Sequence, residues 1–183
     1  MQLIWSIVTD YGDSAVTLPL ALLTLIFLIT AGQRRLALGW LTAIGLCGAV
    51  IAALKLVFGA CVLGNIISPS GHTAMSAVVY GSLALLVGAT LSSGRRRAAV
   101  YAGAAILVCS IALSRVALHD HDVAEVMLGL ILGGAAAAGF HAVLRSVPDL
   151  TLSVGWLVLA AFVIVMVMHG THWTVEPALR CRE

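Results

Sequence analysis

Residues 14–32, SAVTLPLALLTLIFLITAG, carry no charged side chain and end at the polar group Gln33-Arg34-Arg35. Crossing the hydrocarbon core of a bilayer takes about 20 residues of helix, because each residue adds roughly 1.5 Å along the axis. The stretch is long enough and apolar enough to do so. It therefore predicts a transmembrane helix.

The composition of the whole chain also indicates a membrane protein. Of the 183 residues, 61% are hydrophobic and only 10% are charged, and the mean hydropathy is +1.09. Soluble domains have roughly 45–50% apolar and about 25% charged residues, so a soluble globular domain is excluded. The formal net charge of +2 indicates no general attraction to nucleic acid. The scattered cysteines favour neither a disulfide framework nor a zinc site; they are Cys47, Cys61, Cys109 and Cys181.

Five further apolar stretches follow, separated by short polar or glycine-containing connections. The first 13 residues include Asp10 and Asp13 but no basic group, so they indicate a short interfacial segment and not a cleaved signal. The chain therefore predicts an all-α integral membrane six-helix bundle, a single domain over residues 1–183. The expected spans are about 14–32, 36–58, 72–91, 98–115, 123–144 and 152–169.

Gly129 and Gly133 form a GxxxG pair inside the fifth span. Small residues at this spacing let helix backbones approach closely in lipid, where hydrophobic burial no longer drives association. The pattern favours tight packing, either inside one chain or between two chains. The sequence leaves the oligomeric state open.

Basic residues collect at alternate connections between the predicted spans. Cytoplasmic loops are enriched in Lys and Arg, so the side holding most of them is expected to be cytoplasmic. Lys55 and Arg115 fall on the opposite side, and six spans would place both termini there as well. The residues on the expected cytoplasmic side are Arg34, Arg35, Arg95, Arg96, Arg97 and Arg145.

Pro69-Ser70-Gly71-His72 precedes the third span on the expected outer side. Serine is a favoured N-cap and glycine allows close backbone approach, so the free amides of the helix would point outward. Such a helix end attracts anions, and His72 would lie at its edge. Taken alone, the four residues fit equally well a capped helix with one interfacial histidine.

A second polar group joins the fourth and fifth spans. His121 and Glu125 are four residues apart, so on a helix the carboxylate would bond one imidazole nitrogen and leave the other as a nucleophile. Arg115 adds a planar donor group suited to phosphate oxygens, and Lys55 adds a point charge unless it only extends to the interface. Phosphoryl transfer requires such cations, an in-line nucleophile and an acid for the leaving oxygen.

The same region permits a metal site as an alternative. His119 and His121 stand beside Asp120 and Asp122, and imidazole with carboxylate suits zinc or manganese. We place this hypothesis below phosphoryl transfer, because a metal site would not explain the Pro-Ser-Gly-His helix start.

Pro69-Ser70-Gly71-His72, and Ser114-Arg115 followed after five residues by His121, resemble the second and third motifs of the type 2 phosphatidic acid phosphatase superfamily. That superfamily also contains vanadium haloperoxidases. The resemblance implies that His121 attacks phosphorus to give a phosphohistidine. It implies that His72 protonates the leaving oxygen and then activates water, while Ser70, Gly71 and Arg115 hold the phosphate.

The resemblance also implies a lipid substrate in the bilayer and no cofactor. Phosphatidic acid, phosphatidylglycerol phosphate and undecaprenyl pyrophosphate all fit, and the sequence does not choose among them. Together with the small size and the distribution of basic residues, it indicates a prokaryotic inner membrane and a site facing the periplasm or exterior.

The third motif departs from the family pattern at its last position. Glu125 stands where the family usually has Asp, which keeps the charge but adds a methylene and a rotatable bond. Asp120 and Asp122 are therefore alternative partners for His121.

The first motif departs further. Lys55 fits its lysine, but Val62 and Leu63 stand where the family has Arg-Pro. One phosphate-binding arginine is thus missing, and the connection to Pro69 is short. A non-catalytic protein or degenerate phosphatase that only binds lipid phosphates is the alternative.

Overall fold

The structure, a computed structural model, describes residues 2–58, 68–147, 150 and 152–171. Every regular element in these ranges is an α-helix, so the predicted all-α class is confirmed. The helices are α1 Gln2–Asp10, α2 Ser14–Thr30, α3 Arg34–Phe58, α4 Gly71–Ala89, α5 Gly94–Ala117, α6 Val123–Arg145 and α7 Val154–Met168.

Five of the described helical stretches are long and apolar enough to cross a membrane. The first of them joins α1 and α2 over Gln2–Thr30, and the others are α3 to α6. Large apolar side chains such as Leu22 and Ile26 are half exposed on the outside of the bundle, as expected for contact with lipid. The protein is therefore an integral membrane protein. α7 has 15 residues, fewer than a full span requires, so the sixth span stays a prediction.

α4 is the most buried of the span-length helices and contacts α2, α3, α5 and α6. Small residues allow this central position, because they let neighbouring backbones approach closely. A Cβ atom at Gly129 of α6 would lie 2.7 Å from the carbonyl oxygen of Ser70, and one at Gly133 would overlap the carbonyl oxygen of Ala74. The predicted GxxxG pair thus packs within one chain and holds the N-terminal ends of α4 and α6 together.

The N-terminal segment is part of the bundle. α1 packs against α5, and the turn that follows it lies between α4 and α5. At Gly12 a Cβ atom would lie 2.7 Å from Ile111 and 2.9 Å from the Ser76 hydroxyl, so only glycine fits there. Tyr80 of α4 donates a hydrogen bond to the carbonyl oxygen of Tyr11 at 2.6 Å. The sequence predicted a short interfacial segment here, whereas the structure shows a helix and a turn fixed against two spans.

Candidate active site

His121 lies just before α6 and contacts Glu125 in its first turn. Its Nδ1 atom is 2.7 Å from Oε2 of Glu125, and the imidazole side chain is 8% exposed. When Nδ1 carries the proton and donates to the carboxylate, Nε2 keeps its lone pair. The Glu125 side chain reaches back from the first turn of α6 to the residue before the N-cap, and this contact produces the orientation that a histidine nucleophile requires.

The Glu125 carboxylate makes two more contacts besides His121. Oε1 accepts a hydrogen bond from the Ser68 amide at 3.0 Å, and Oε2 accepts one from the Asp122 amide at 3.2 Å. The backbone carbonyl of Glu125 accepts from the Ser70 amide at 3.1 Å. The longer side chain of glutamate thus orients His121 and also holds the segment leading into α4.

Ser70 occupies the N-cap position of α4 and is fully buried. Its hydroxyl does not cap the helix; it accepts a hydrogen bond from the Thr73 hydroxyl at 3.1 Å. Gly71 begins the helix, and a Cβ atom there would lie 3.9 Å from Ile51 of α3. The first turn of α4 is therefore enclosed by α3 on one side and α6 on the other.

His72 follows in the same turn and is directed to the α1–α2 turn. Its Nε2 atom lies 3.5 Å from Oδ2 of Asp13, and its side chain is 25% exposed. Asp13 also caps α2, since its Oδ1 accepts from the Ala15 amide at 2.8 Å. His72 is thereby given a carboxylate partner that comes from the N-terminal segment.

Arg115 lies in the last turn of α5 and is 9% exposed. Its NH1 group donates to the Thr9 hydroxyl at 3.1 Å and forms an ion pair with Asp120 at 3.0 Å. Its Nε atom is buried and has no hydrogen-bond partner within the described part of the chain. Because buried donors are normally satisfied, this N–H has a hydrogen-bonding capacity that the described residues do not use.

The turn between α5 and α6 fixes Arg115 and His121 relative to each other. The amides of Asp120 and His121 both donate to the carbonyl oxygen of Arg115, at 3.1 and 3.3 Å. His119 adopts a φ of 59°, a left-handed conformation that favours glycine. The main chain thus turns sharply and brings His121 back towards α5, the helix that carries Arg115.

Lys55 lies in the last turn of α3, one helical turn beyond Ile51, and is half-buried. Since Ile51 packs near Gly71, Lys55 lies at the same end of the bundle, about one helical turn beyond the level of the α4 N-terminus. Val62 and Leu63, the positions of the missing first-motif residues, are outside the described residues. Among the residues that are described, no group of three His, Cys, Asp or Glu side chains is arranged to hold a metal ion.

The sequence-predicted residues therefore collect at one end of the bundle, where α4 and α6 begin and α5 ends. Direct contacts join the Ser70 segment to Glu125, Glu125 to His121, and His121 to Arg115. Of the three carboxylates considered for His121, Glu125 makes the contact and Asp120 turns to Arg115.

Sequence reasoning missed two polar residues of the site, Thr9 and Asp13. The only signal was local, because an aspartate directly before the apolar run that starts at Ser14 indicates a helix N-cap. Its second role, beside His72, depends on tertiary packing that no local pattern reveals.

Comparisons with known proteins identify the family of the chain. The profile of the PAP2 superfamily, the type 2 phosphatidic acid phosphatases, matches residues 57–149, half of the chain. The chain is also 34% identical over 167 residues to an uncharacterized 22.5 kDa protein in the cps region of Klebsiella pneumoniae, covering 88% of this chain and 79% of that protein. No solved structure matches the chain significantly. The chain therefore belongs to the PAP2 superfamily, and this membership indicates a phosphatase-type activity.

Proposed function

We propose that the protein hydrolyses a lipid phosphate or lipid pyrophosphate through a phosphohistidine formed on His121. The observation that carries this proposal is the 2.7 Å contact between Nδ1 of His121 and Glu125, which leaves Nε2 as the nucleophilic atom. The buried, unpaired Nε–H of Arg115 is joined to the same turn and supplies a donor for a phosphate oxygen.

In the first step, Nε2 of His121 attacks phosphorus and forms the N–P bond. The bond between phosphorus and the leaving oxygen breaks, and protonated His72 gives its proton to that oxygen. The products are the phosphohistidine, neutral His72 and a free alcohol, or a shorter phosphate when the substrate is a pyrophosphate. Lys55, Arg115 and the first amides of α4 neutralise the charge on the transferred group.

In the second step, neutral His72 takes a proton from water, and the water oxygen attacks phosphorus. The N–P bond breaks, which releases inorganic phosphate and restores His121 as well as protonated His72. Ser70 and Gly71 hold the phosphate near the α4 N-terminus during both steps. Neither step uses a cofactor or a metal ion.

The distribution of basic residues supports a site on the outer side of a prokaryotic inner membrane. Arg34 begins α3, Arg95–Arg97 lie in the first turn of α5, and Arg145 ends α6. In the helix order of this bundle, all of these positions lie at the end opposite to the starts of α4 and α6. By the positive-inside rule, this distribution supports a candidate site outside the cytoplasm.

A lipid is the substrate that this location favours. The helix ends of the site join directly to apolar helices whose outer surfaces face acyl chains. A substrate with its phosphate at the interface and its chains in the bilayer reaches the site without leaving the membrane. Phosphatidic acid, phosphatidylglycerol phosphate and undecaprenyl pyrophosphate are the three candidates.

A non-catalytic lipid-phosphate-binding protein is the second candidate function. The observation that favours it is the presence of Val62 and Leu63 where the family has Arg-Pro, which removes one cation from the phosphate site. Binding without turnover in the unmodified protein would establish this function.

The test is a panel of the three lipids with the full-length protein in detergent, beside the variants His72→Ala and His121→Ala. Release of inorganic phosphate by the unmodified protein and its loss in His121→Ala would support the enzyme. Trapping of an acid-labile phosphoprotein that is absent from His121→Ala would support the intermediate. Full activity in EDTA is expected, and loss of activity that zinc or manganese restores would contradict the metal-free mechanism.

A further inference from the structure

We propose that Asp13 is a positioning residue for His72, and that the N-terminal segment thereby forms part of the acid–base machinery. This inference rests on the proposed function, because it assigns His72 a carboxylate that supports its transfer of protons. The family profile begins at residue 57, so this contribution lies outside the matched range.

The two carboxylate oxygens of Asp13 have separate contacts. Oδ1 accepts the Ala15 amide at 2.8 Å, and Oδ2 lies 3.5 Å from Nε2 of His72. Asp13 itself is only 3% exposed. A carboxylate this deeply buried is costly unless it is paired, and the Ala15 amide and the His72 imidazole contribute to that pairing.

The position of Asp13 is fixed by the two residues that precede it. Gly12 is packed tightly against Ile111 and Ser76, and the Tyr11 carbonyl is bonded to Tyr80 of α4. These contacts hold the turn against α4, the helix that carries His72. The separation of 3.5 Å is longer than a hydrogen bond, which is common for catalytic contacts before the substrate binds.

The chemical consequence concerns the first step of the reaction. A carboxylate beside one ring nitrogen fixes the orientation of the imidazole. Because Nε2 faces Asp13, Nδ1 of His72 is left to donate to the leaving oxygen. Loss of the carboxylate therefore weakens proton donation and leaves the nucleophile, His121, unaffected.

Leaving-group dependence separates this role from a structural one. An alkoxide such as the diacylglycerol oxygen of phosphatidic acid requires protonation as it departs, whereas p-nitrophenolate requires little. Since kcat/KM covers steps up to the formation of the phosphohistidine, it isolates the step in which His72 acts as an acid.

The decisive variant is Asp13→Ser in the full-length protein, because serine retains the N-cap function for α2. We expect kcat/KM for phosphatidic acid to fall roughly 10- to 100-fold, and kcat/KM for p-nitrophenyl phosphate to fall less than about threefold. Asp13→Asn keeps the shape as well as the cap, and it is expected to show the same selective loss.

Ser93→Ala is the matched control, since Ser93 caps α5 at the opposite end of the bundle through the Arg96 amide. This variant should leave both kcat/KM values unchanged. An equal loss for both substrates in Asp13→Ser and Asp13→Asn would show a purely structural role and overturn the inference.

The outcome for the unmodified protein separates this inference from the proposed function. No phosphate release from either substrate would overturn the proposed function, and with it any role of Asp13 in the reaction. A second outcome is turnover by the unmodified protein that is lost in His121→Ala, with an equal reduction for both substrates in the Asp13 variants. This outcome would overturn only the role of Asp13.

Discussion

The two histidines of the site each face a carboxylate, but the two pairs are built differently. His121 lies in the turn just before α6 and Glu125 in the first turn of that helix, and their side chains are 2.7 Å apart. His72 and Asp13 are distant in the sequence, belong to different elements and are 3.5 Å apart. His121 is also the less exposed of the two imidazoles, at 8% against 25%.

This difference shows what each pair depends on. The His121 pair is set locally, because Glu125 in the first turn of α6 reaches back to the residue that precedes the N-cap Asp122. The His72 pair is set by the packing of the α1–α2 turn against α4. The first pair should therefore respond mainly to changes in its own two side chains, and the second to changes anywhere in the N-terminal segment.

The largest expected effect comes from disrupting the contact between His121 and Glu125. Both oxygens of Glu125 accept hydrogen bonds, from Ser68 on one side and from His121 and Asp122 on the other. An amide has only one accepting oxygen, so Glu125→Gln should lower kcat/KM by roughly 10²- to 10⁴-fold. Phosphate release from the best lipid substrate measures the loss.

Glu125→Asp sharpens this prediction by restoring the residue that the family usually has. The shorter side chain cannot keep the contacts of both oxygens, so we expect a loss of about tenfold. An activity equal to or above that of the unmodified protein would mean that glutamate is only a tolerated departure.

The second effect concerns the close contact between α4 and α6. Both histidine–carboxylate pairs depend on this contact. Gly133→Ala should lower the free energy of unfolding by about 1–3 kcal/mol, because the new methyl group overlaps the Ala74 carbonyl. Gly134→Ala is the matched control. Nothing lies within 4 Å of a Cβ atom at Gly134, so it should gain about 0.5–1 kcal/mol. Thermal unfolding in detergent compares the two variants. An equal free energy of unfolding would contradict close packing of α4 against α6 at Gly133.

A third, smaller effect tests the contact of the N-terminal segment with Arg115. Thr9→Val removes the hydroxyl that accepts from Arg115 but keeps the side-chain volume. We expect KM to rise by about tenfold, because a hydrogen bond to a charged group contributes about 1.5 kcal/mol. Thr9→Ser keeps the hydroxyl and should retain the original KM. Unchanged kinetics in Thr9→Val would show that Arg115 holds its position without α1.

The smallest effect concerns the turn that returns His121 to the site. His119→Gly should stabilise the fold by about 0.5 kcal/mol, since glycine adopts the left-handed conformation without a steric penalty. Phosphatase activity should stay within about twofold, as only backbone relief is involved. A large loss of activity that zinc restores would instead support the metal site considered for His119.

The sequence allowed most of the fold to be predicted, because uninterrupted apolar runs with polar ends are strong signals for helices in membranes. α2 to α6 lie close to the expected ranges, and the glycines of α6 were expected to mark a tight helix contact. The helical structure of Gln2–Asp10 was not predicted. Its stabilisation comes from docking on α5, which a single-sequence pattern does not contain.

The residues of the candidate site likewise fall into those that the sequence predicts and those that it does not. His121, Glu125 and Arg115 were predictable together because one turn and one helix start hold all three. Thr9 and Asp13 were not, because their contacts with Arg115 and His72 arise only when distant segments pack. The extra length of Glu125 made Asp120 and Asp122 alternative partners for His121, but the structure shows Glu125 in contact with both His121 and Ser68.

The position of Thr9 and Asp13 has a consequence for how such proteins are handled and classified. A fragment trimmed to residues 57–149 would keep both histidines and yet lack the side chains that face His72 and Arg115 from the other side. Reporter fusions that disturb the first helix would remove contacts made to residues far along the chain. Surveys of related sequences would gain from aligning the leading segment as well as the motifs.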